Sequence, residues 1–383
     1  MTLRVLCLAA MAVLLPSTPS AAGASAPEPL YKPRAGGPVK LSGPPNSLVS
    51  SVSEEFTGGE GFGSVLVGYD SLKSSEILWN TGEGISTLSG YRAPRGPGRV
   101  TGDYSDFGVI DAHHRLVRLY RDAEDRYRIQ RFLRTGHGPV ALIRSFENFA
   151  LLNRGSADLW FYLGGNEGKT LPAIKVPVGG DPTDLVGEDP QVRPLFISDA
   201  ERDAVTVSQY EEEAVQVRRV LRVGADPVDL ALAQFLPDYE PEIAVVSRGS
   251  GSVAILDSPH SKDYASTDYR RIGSYPAGTE PVAAQAVNID AKDGPDLAVL
   301  DAGSDRVVVL LNDGHGHFRR GGSYPAGPDP VALAASGTFD RSFGPDLIVA
   351  NHDPRTLTIL LRHEAGVCRG REARPITGTT LKE

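Results

Sequence analysis

The side chains able to do chemistry are scattered along this sequence rather than grouped. His113 and His114 are adjacent, Asn351-His352-Asp353 forms a second polar triplet, and His315 and His317 flank Gly316. An i,i+2 histidine pair is a poor zinc motif, because tetrahedral sites draw their ligands at wider spacings. These histidines read as solvated turn residues. No G-x-S-x-G elbow, H-E-x-x-H pair or G-x-x-x-x-G-K-[ST] loop occurs, so contiguous motifs for hydrolase, zinc-protease or nucleotide chemistry are absent. Gly59-Glu60-Gly61-Phe62-Gly63 imitates a glycine-rich loop but reads as the start of a strand. Glu211-Glu212-Glu213 reads as a solvated acidic turn, and Trp79 and Trp160 as core residues of hairpins rather than sugar-stacking platforms. Asp184 and Asp229 remain as two carboxylates at matched places in a repeating pattern.

Composition narrows the partners. The formal net charge is −9, and removing an N-terminal leader that carries Arg4 makes it more negative. No basic stripe survives that balance, so nucleic acid and anionic membrane are excluded as expected partners. Residues 1–22 read as a signal peptide: Arg4, the apolar run Val5–Leu15, then small residues that offer cleavage after Ala22 or Ala24. That run is too short to span a bilayer and no later one is long enough, so no membrane span is expected. The mature chain is expected outside the cytoplasm, secreted or periplasmic. It keeps one thiol, Cys368, read as a quiet tail residue or an intermolecular link. Residues 23–38, rich in Pro, Gly and Ala, read as a flexible leading segment.

The elements that would position any site come from a repeat. Gly278-Thr279-Glu280-Pro281-Val282 matches Gly327-Pro328-Asp329-Pro330-Val331, each preceded by Ser-Tyr-Pro-Ala. Downstream, Gly294-Pro295-Asp296-Leu297 matches Gly344-Pro345-Asp346-Leu347. A third copy starts at Gly224, and weaker ones at Gly179, Gly136, Gly96 and Gly43, about 40 to 54 residues apart. Within a unit, proline presets φ so the chain leaves the turn extended. A small-residue strand such as Val331–Ala335 follows, then a hairpin such as Asp296–Leu300 with Arg306–Leu311, then an exposed fourth strand such as Phe318–Tyr324. Apolar runs of four to six residues broken at Gly, Pro or Asp exclude helical periodicity. The expected fold is all-β: a seven-bladed β-propeller of four-stranded antiparallel blades over residues 39–363. Small residues suit the innermost strand, where blades converge. Closure needs one blade shared between the chain ends, since an open ring leaves unpaired edges. Val39–Ser42 is the expected donor, with Arg374–Thr377, in the tail 364–383, as its competitor.

Val287–Val299 and Val307–Phe318 carry a family likeness. They resemble the FG-GAP/VCBS repeat, whose signature runs G-D-x-N-x-D-G-x-P-D-L-A-V and returns as V-x-V-L-L-N-x-G-x-G-x-F. The resemblance implies a seven-bladed propeller similar to the head of integrin α chains and an extracellular binding role. It also implies calcium in the loop between the first two strands, a hard cation held by six to eight oxygens. The matching positions are Asn288, Asp290, Lys292 and Asp296 in the sixth unit, with Asp293 able to replace Lys292 by a one-residue slip. In the seventh they include Asp340 and Asp346, and in the fifth they read Gln234, Leu236, Asp238 and Glu242. Two carboxylates per loop make a thin cage. Weak calcium stands as one reading; acids that cap turns through backbone hydrogen bonds stand as the other.

The function expected on these grounds is a secreted non-catalytic module that binds an extracellular protein or carbohydrate. The alternative is a propeller enzyme of lactonase, lyase or glycosidase type, with its site at the axial channel.

Overall fold

The computed structural model describes residues 31–34, 37–41, 44–51, 64–69, 76–80, 85–88, 100–103, 106–111, 115–121, 127–145, 148–163, 173–188, 193–211, 214–238, 240–258, 267–292, 294–336 and 345–362. The leader, His113, His114, Asp293, Asp340 and Cys368 lie outside them.

Every described sheet is antiparallel and meandering, so each unit of the repeat folds as one sheet. In the sixth unit the order is Pro281–Val287, Asp296–Asp301, Arg306–Asn312, Phe318–Pro325. In the fifth it is Pro227–Ala233, Glu242–Ser247, Ser252–Asp257, Arg270–Pro276. First strands begin at proline in all but the second unit, at Pro45, Pro139, Pro182, Pro227, Pro281 and Pro330. Each of those six strands then shifts register by one residue within its first three positions, as between Pro227 and Asp229. Proline cannot donate to the ladder, and the bulge beside it absorbs the missing bond while re-aiming the side chains that follow.

The second and third strands read as unbroken apolar runs because both faces are covered. Asp296–Asp301 and Glu242–Ser247 are buried along their whole length. Alternate residues of one strand serve different interfaces: Ala298 and Leu300 pack with Leu333, Leu347 and Val349 of the seventh unit, whereas Leu297 and Val299 pack with Val246, Val253 and Ile255 of the fifth. The outer strands alternate instead, as in half-buried and exposed Ile174–Pro177, which is how a solvent-facing edge is built.

The first strands lie side by side around an axis. Pro45–Ser51 neighbours Val100–Asp103, and so on through Pro139–Ser145, Pro182–Val186, Pro227–Ala233 and Pro281–Val287 to Pro330–Ser336, which returns to Pro45–Ser51. A polar side chain ending the second strand explains the anchor glycine of the repeat. A Cβ on Gly278 would stand 2.2 Å from Asp301 Cγ, and one on Gly327 would stand 2.7 Å from Asn351 Nδ2. Both glycines also have positive φ, +140° and +95°.

The sheet of the seventh unit, Pro330–Ser336, Asp346–Asn351 and Thr356–Arg362, gains its outer strand from the other end of the chain. Val39 pairs with Leu357 and Lys40 with Thr356. Tyr31–Pro33 extends this edge, with Tyr31 opposite Arg362. That second pairing corrects the sequence expectation of a loose segment through residue 38. Tyr31 is 2% exposed, its hydroxyl donates to Pro345 O at 3.2 Å, and its ring meets Tyr324 edge-on. Burial of an aromatic ring, invisible to a composition count, fixes the segment.

Candidate functional site

Asp184 and Asp229 follow the bulges of the fourth and fifth inner strands. Asp184 Oδ2 accepts the backbone N–H of Leu230 at 2.9 Å, and Asp229 Oδ2 accepts that of Ala284 at 2.7 Å. Each carboxylate therefore reaches sideways to the next inner strand, at the same step around the ring. Thr183 strengthens the first link by donating to Pro227 O at 2.7 Å. Asp184 is buried, while Asp229 is half-buried. Carboxylates held this way keep a fixed orientation in an environment of reduced water access, a condition for general-base work.

A second acidic group lies at the loop end of the fifth sheet. Carboxylate oxygens of Asp238, Glu242 and Asp257 all fall within 4.8 Å of one another. Glu242 Oε2 accepts from Phe235 N at 2.5 Å and Leu236 N at 2.9 Å. Burial pushes the Glu242 carboxyl up to about 8, beyond what those two N–H bonds recover, and Asp238 and Asp257 push the same way. Beside it is a cleft lined by Glu188, Arg193, Phe196, Glu240 and Tyr269. Arg193 bridges Glu188 at 3.4 Å and Glu240 at 3.5 Å, and Tyr269 donates to Pro241 O at 3.3 Å. Burial raises the Tyr269 hydroxyl far above its ordinary value, with Glu240 and Glu242 adding to it.

The loops singled out in the sequence are arranged differently. Asp296 spends both oxygens on backbone: Oδ2 on Ile289 N (2.7 Å) and Asp290 N (3.1 Å), Oδ1 on Asn312 N (2.8 Å). Asp346 Oδ1 accepts Arg362 N at 2.7 Å. Asp290 turns its Oδ1 to Lys292 N, and Asn288 is exposed. Asp293 and Asp340 lie outside the described residues. The geometry thus brings Asp238 and Glu242 together with Asp257, a residue the sequence reading did not select. Asp257 stands on the far strand of the hairpin, beyond the span of any loop pattern.

Of the other candidates, His317 Nδ1 lies 3.2 Å from Asp313 Oδ2, and His352 Nδ1 lies 3.2 Å from Asp329 Oδ2. Both are surface pairs. Trp160 is half-buried, packed against the cluster of Leu142, Phe149, Leu151 and Tyr162, with Nζ of its cross-strand partner Lys175 3.8 Å from its ring centre, a cation–π contact. Among the described residues no helix is long and apolar enough to cross a membrane.

No family model matches the chain, and no curated protein matches it, so the likeness to FG-GAP/VCBS repeats rests on the quoted residues alone. Solved structures do match. A virginiamycin B lyase from Staphylococcus aureus, solved with quinupristin as a catalytically inactive form, is 12% identical with a TM-score of 0.57, covering 86% of this chain and 99% of its own. A 6-phosphogluconolactonase-like protein from Bacteroides uniformis is 14% identical with a TM-score of 0.60, covering 78% and 92%. A chain of the mitotic checkpoint complex is 13% identical with a TM-score of 0.60, covering 95% and 100%. At these identities the likeness speaks to fold. It nevertheless corrects the expectation of a non-catalytic chain, which rested on the lack of contiguous motifs: the same architecture serves a lyase and lactonase-like proteins. The chain is an all-β protein with the fold of a β-propeller.

Proposed function

We propose that this chain is a seven-bladed propeller enzyme that opens a lactone or eliminates across an ester of a small organic substrate, at the axial mouth of its inner strands. The observation that carries the reading is the pair Asp184 and Asp229, each fixed by a backbone N–H of the next inner strand. Support for the blade number comes from the succession of first strands that ends where it began. Asp229, the less buried of the two, acts as general base. It takes a proton from water, whose oxygen then attacks the lactone carbonyl so that the ring oxygen leaves as an alcohol, or from the carbon next to the one that bears the ester's alkyl oxygen, so that a double bond forms between those two carbons as the C–O bond breaks and the carboxylate leaves. Asp184, one blade back, holds the neighbouring strand in place. The lyase and lactonase-like neighbours support this class of substrate. We also read the repeats as divergent FG-GAP/VCBS units, on residues 287–299 and 307–318, and the chain as secreted, on its leader pattern.

Ring opening is followed by mass spectrometry across a panel of lactones and cyclic ester peptides that includes quinupristin. Asp229→Asn keeps an oxygen for Ala284 N–H, so the fold is retained while turnover falls by roughly 10²–10⁴. A panel on which the native chain opens no ring would overturn the reading.

A further inference from the structure

The outermost strand of each described sheet lacks acid. Ile85–Leu88, Tyr127–Arg134, Ile174–Pro177, Ala214–Arg222, Arg270–Pro276 and Phe318–Pro325 contain no Asp or Glu, and neither do Tyr31–Pro33 and Val39–Lys40, which complete the seventh sheet. Yet the chain as a whole holds 48 acids against 39 Lys and Arg, so acid is its commoner charge. Charge of either sign keeps one sheet edge from pairing with another. That need leaves the sign open, and here a single sign is used throughout. The balance of the whole chain conceals this basic band.

The fourth to sixth units gather these cations into one surface. Ala214–Arg222 carries Arg218, Arg219 and Arg222. The next two edges place theirs in matched register: Arg271 stands opposite Leu256 as Arg320 does opposite Leu310, and Arg270 opposite Asp257 as Arg319 does opposite Leu311. Tyr275 Oη donates to Gly316 O at 2.9 Å, and a Cβ on Gly316 would stand 3.1 Å from Ile272 Cδ1. The turn that leads into Arg319 therefore rests on the strand that carries Arg270. On the other side, Arg219 pairs with Asp268, two residues before Arg270. Arg270, Arg271, Arg319 and Arg320 are exposed and, among the described residues, make no ion pair. The acids beside them are already engaged, Asp268 with Arg219 and Asp313 with His317.

We propose that the outer edge of the fourth to sixth units binds an acidic polysaccharide, whose carboxylate or sulfate groups meet Arg270, Arg271, Arg319 and Arg320. A planar guanidinium presents two parallel N–H donors to such a group, and pairs repeated from one edge to the next match charges repeated along a glycan chain. Other polyanions fit less well. The aromatic residues of these two strands, Tyr275, Phe318 and Tyr324, are buried or half-buried, so none stands out for a base to stack on. The exposed apolar side chains, Val217, Val220 and Ile272, are small and stand singly, without the Trp, Phe or Leu that enters a bilayer. The strands concerned lie farthest from the axis, so the surface is separate from the ring-opening site and its test reads binding alone.

Full-length protein is titrated at low ionic strength onto immobilised heparin, which is sulfated, polygalacturonate, which is carboxylated, and neutral dextran. Binding to an acidic polymer and none to dextran is expected, weakening steeply as salt rises. The double variants Arg270→Gln/Arg271→Gln and Arg319→Gln/Arg320→Gln should each weaken it about tenfold. Arg154→Gln/Arg248→Gln removes the same charge from hairpin turns elsewhere and should bind within about twofold of the native chain. Circular dichroism checks that each variant folds, and the single variant Arg320→Gln serves if a double one does not. Absence of binding to both acidic polymers overturns the proposal. So does equal weakening by the Arg154 and Arg248 control, which would make binding a response to net charge alone. Tighter binding to duplex DNA or to phosphatidylglycerol vesicles than to either polysaccharide would give the surface to another polyanion, and would overturn it too.

Discussion

Removing the Asp301 carboxylate should unravel the turn that starts the sixth sheet. Asp301 Oδ1 accepts Glu280 N at 2.7 Å, Thr279 N at 3.0 Å and Thr279 Oγ1 at 3.3 Å, while Oδ2 accepts from Ser304 Oγ. The side chain is 2% exposed, so water does not readily replace it. Asp301→Ala strands two backbone N–H groups, each costing roughly 1–3 kcal/mol when buried. Partial access at the turn brings the total to about 3 kcal/mol. Asp301→Asn keeps one oxygen for Thr279 and Glu280 and offers Ser304 an amide, losing only the charge assistance, about 1 kcal/mol. Burial pushes the Asp301 carboxyl up, but the hydrogen bonds from Ser304, Glu280 and Thr279 outweigh it and hold the carboxyl below its ordinary value. The folded state therefore binds the proton less readily than the unfolded chain. Its contribution is complete above the ordinary carboxylate range, near pH 4, and is lost as pH falls through the lowered value. The gap between the native chain and Asp301→Asn should close on acidification. Urea midpoints at neutral pH and across that acid range measure all three quantities. Equal destabilisation by alanine and asparagine, or an alanine cost under about 0.5 kcal/mol, would refute the capping argument.

Two further outcomes follow from the packing. Gly278→Ala places a Cβ 2.2 Å from Asp301 Cγ at a φ of +140°. It should cost more than Asp301→Ala, and the double variant should cost less than the sum, a coupling that a double-mutant cycle reads directly; strict additivity would separate the glycine from the acid. Tyr31→Ala removes a side chain that is 2% exposed and bonded to Pro345. A loss of about 3–5 kcal/mol is expected, with faster amide exchange along Thr356–Arg362; unchanged exchange there would mean the strand does not hold the edge.

Much of this architecture is written in local chemistry. Proline at the head of every inner strand but Val100–Asp103, glycine at each anchor and apolar runs of strand length place the hairpins at Asp296–Asp301 and Glu242–Ser247. The edge formed by Val39 is legible because a closed ring needs a donor just before its first unit. Tyr31 is not: it stands in a segment rich in proline, glycine and alanine, and the ring's burial against Tyr324 is what commits it. Asp257 escapes for another reason. Its relation to Glu242 is set by cross-strand register, and register is a property of the paired strands, which spacing along one strand does not reveal. The placement of Asp184 and Asp229 is hidden for the same cause, since they meet backbone of units that follow them by some fifty positions.

Strand Tyr31–Pro33 also sets the order of assembly. Tyr31 and Pro345 are 314 residues apart in sequence, so the contact that seals the circle is among the most distant the chain makes. Pairings of such long range form late and slowly, because the loop-closure entropy must be spent before any reward arrives. Until then Thr356–Arg362 is a bare edge able to recruit a second copy. An N-terminal tag or a clip just before Tyr31 therefore acts on the latch itself, and purification handles belong beyond residue 362.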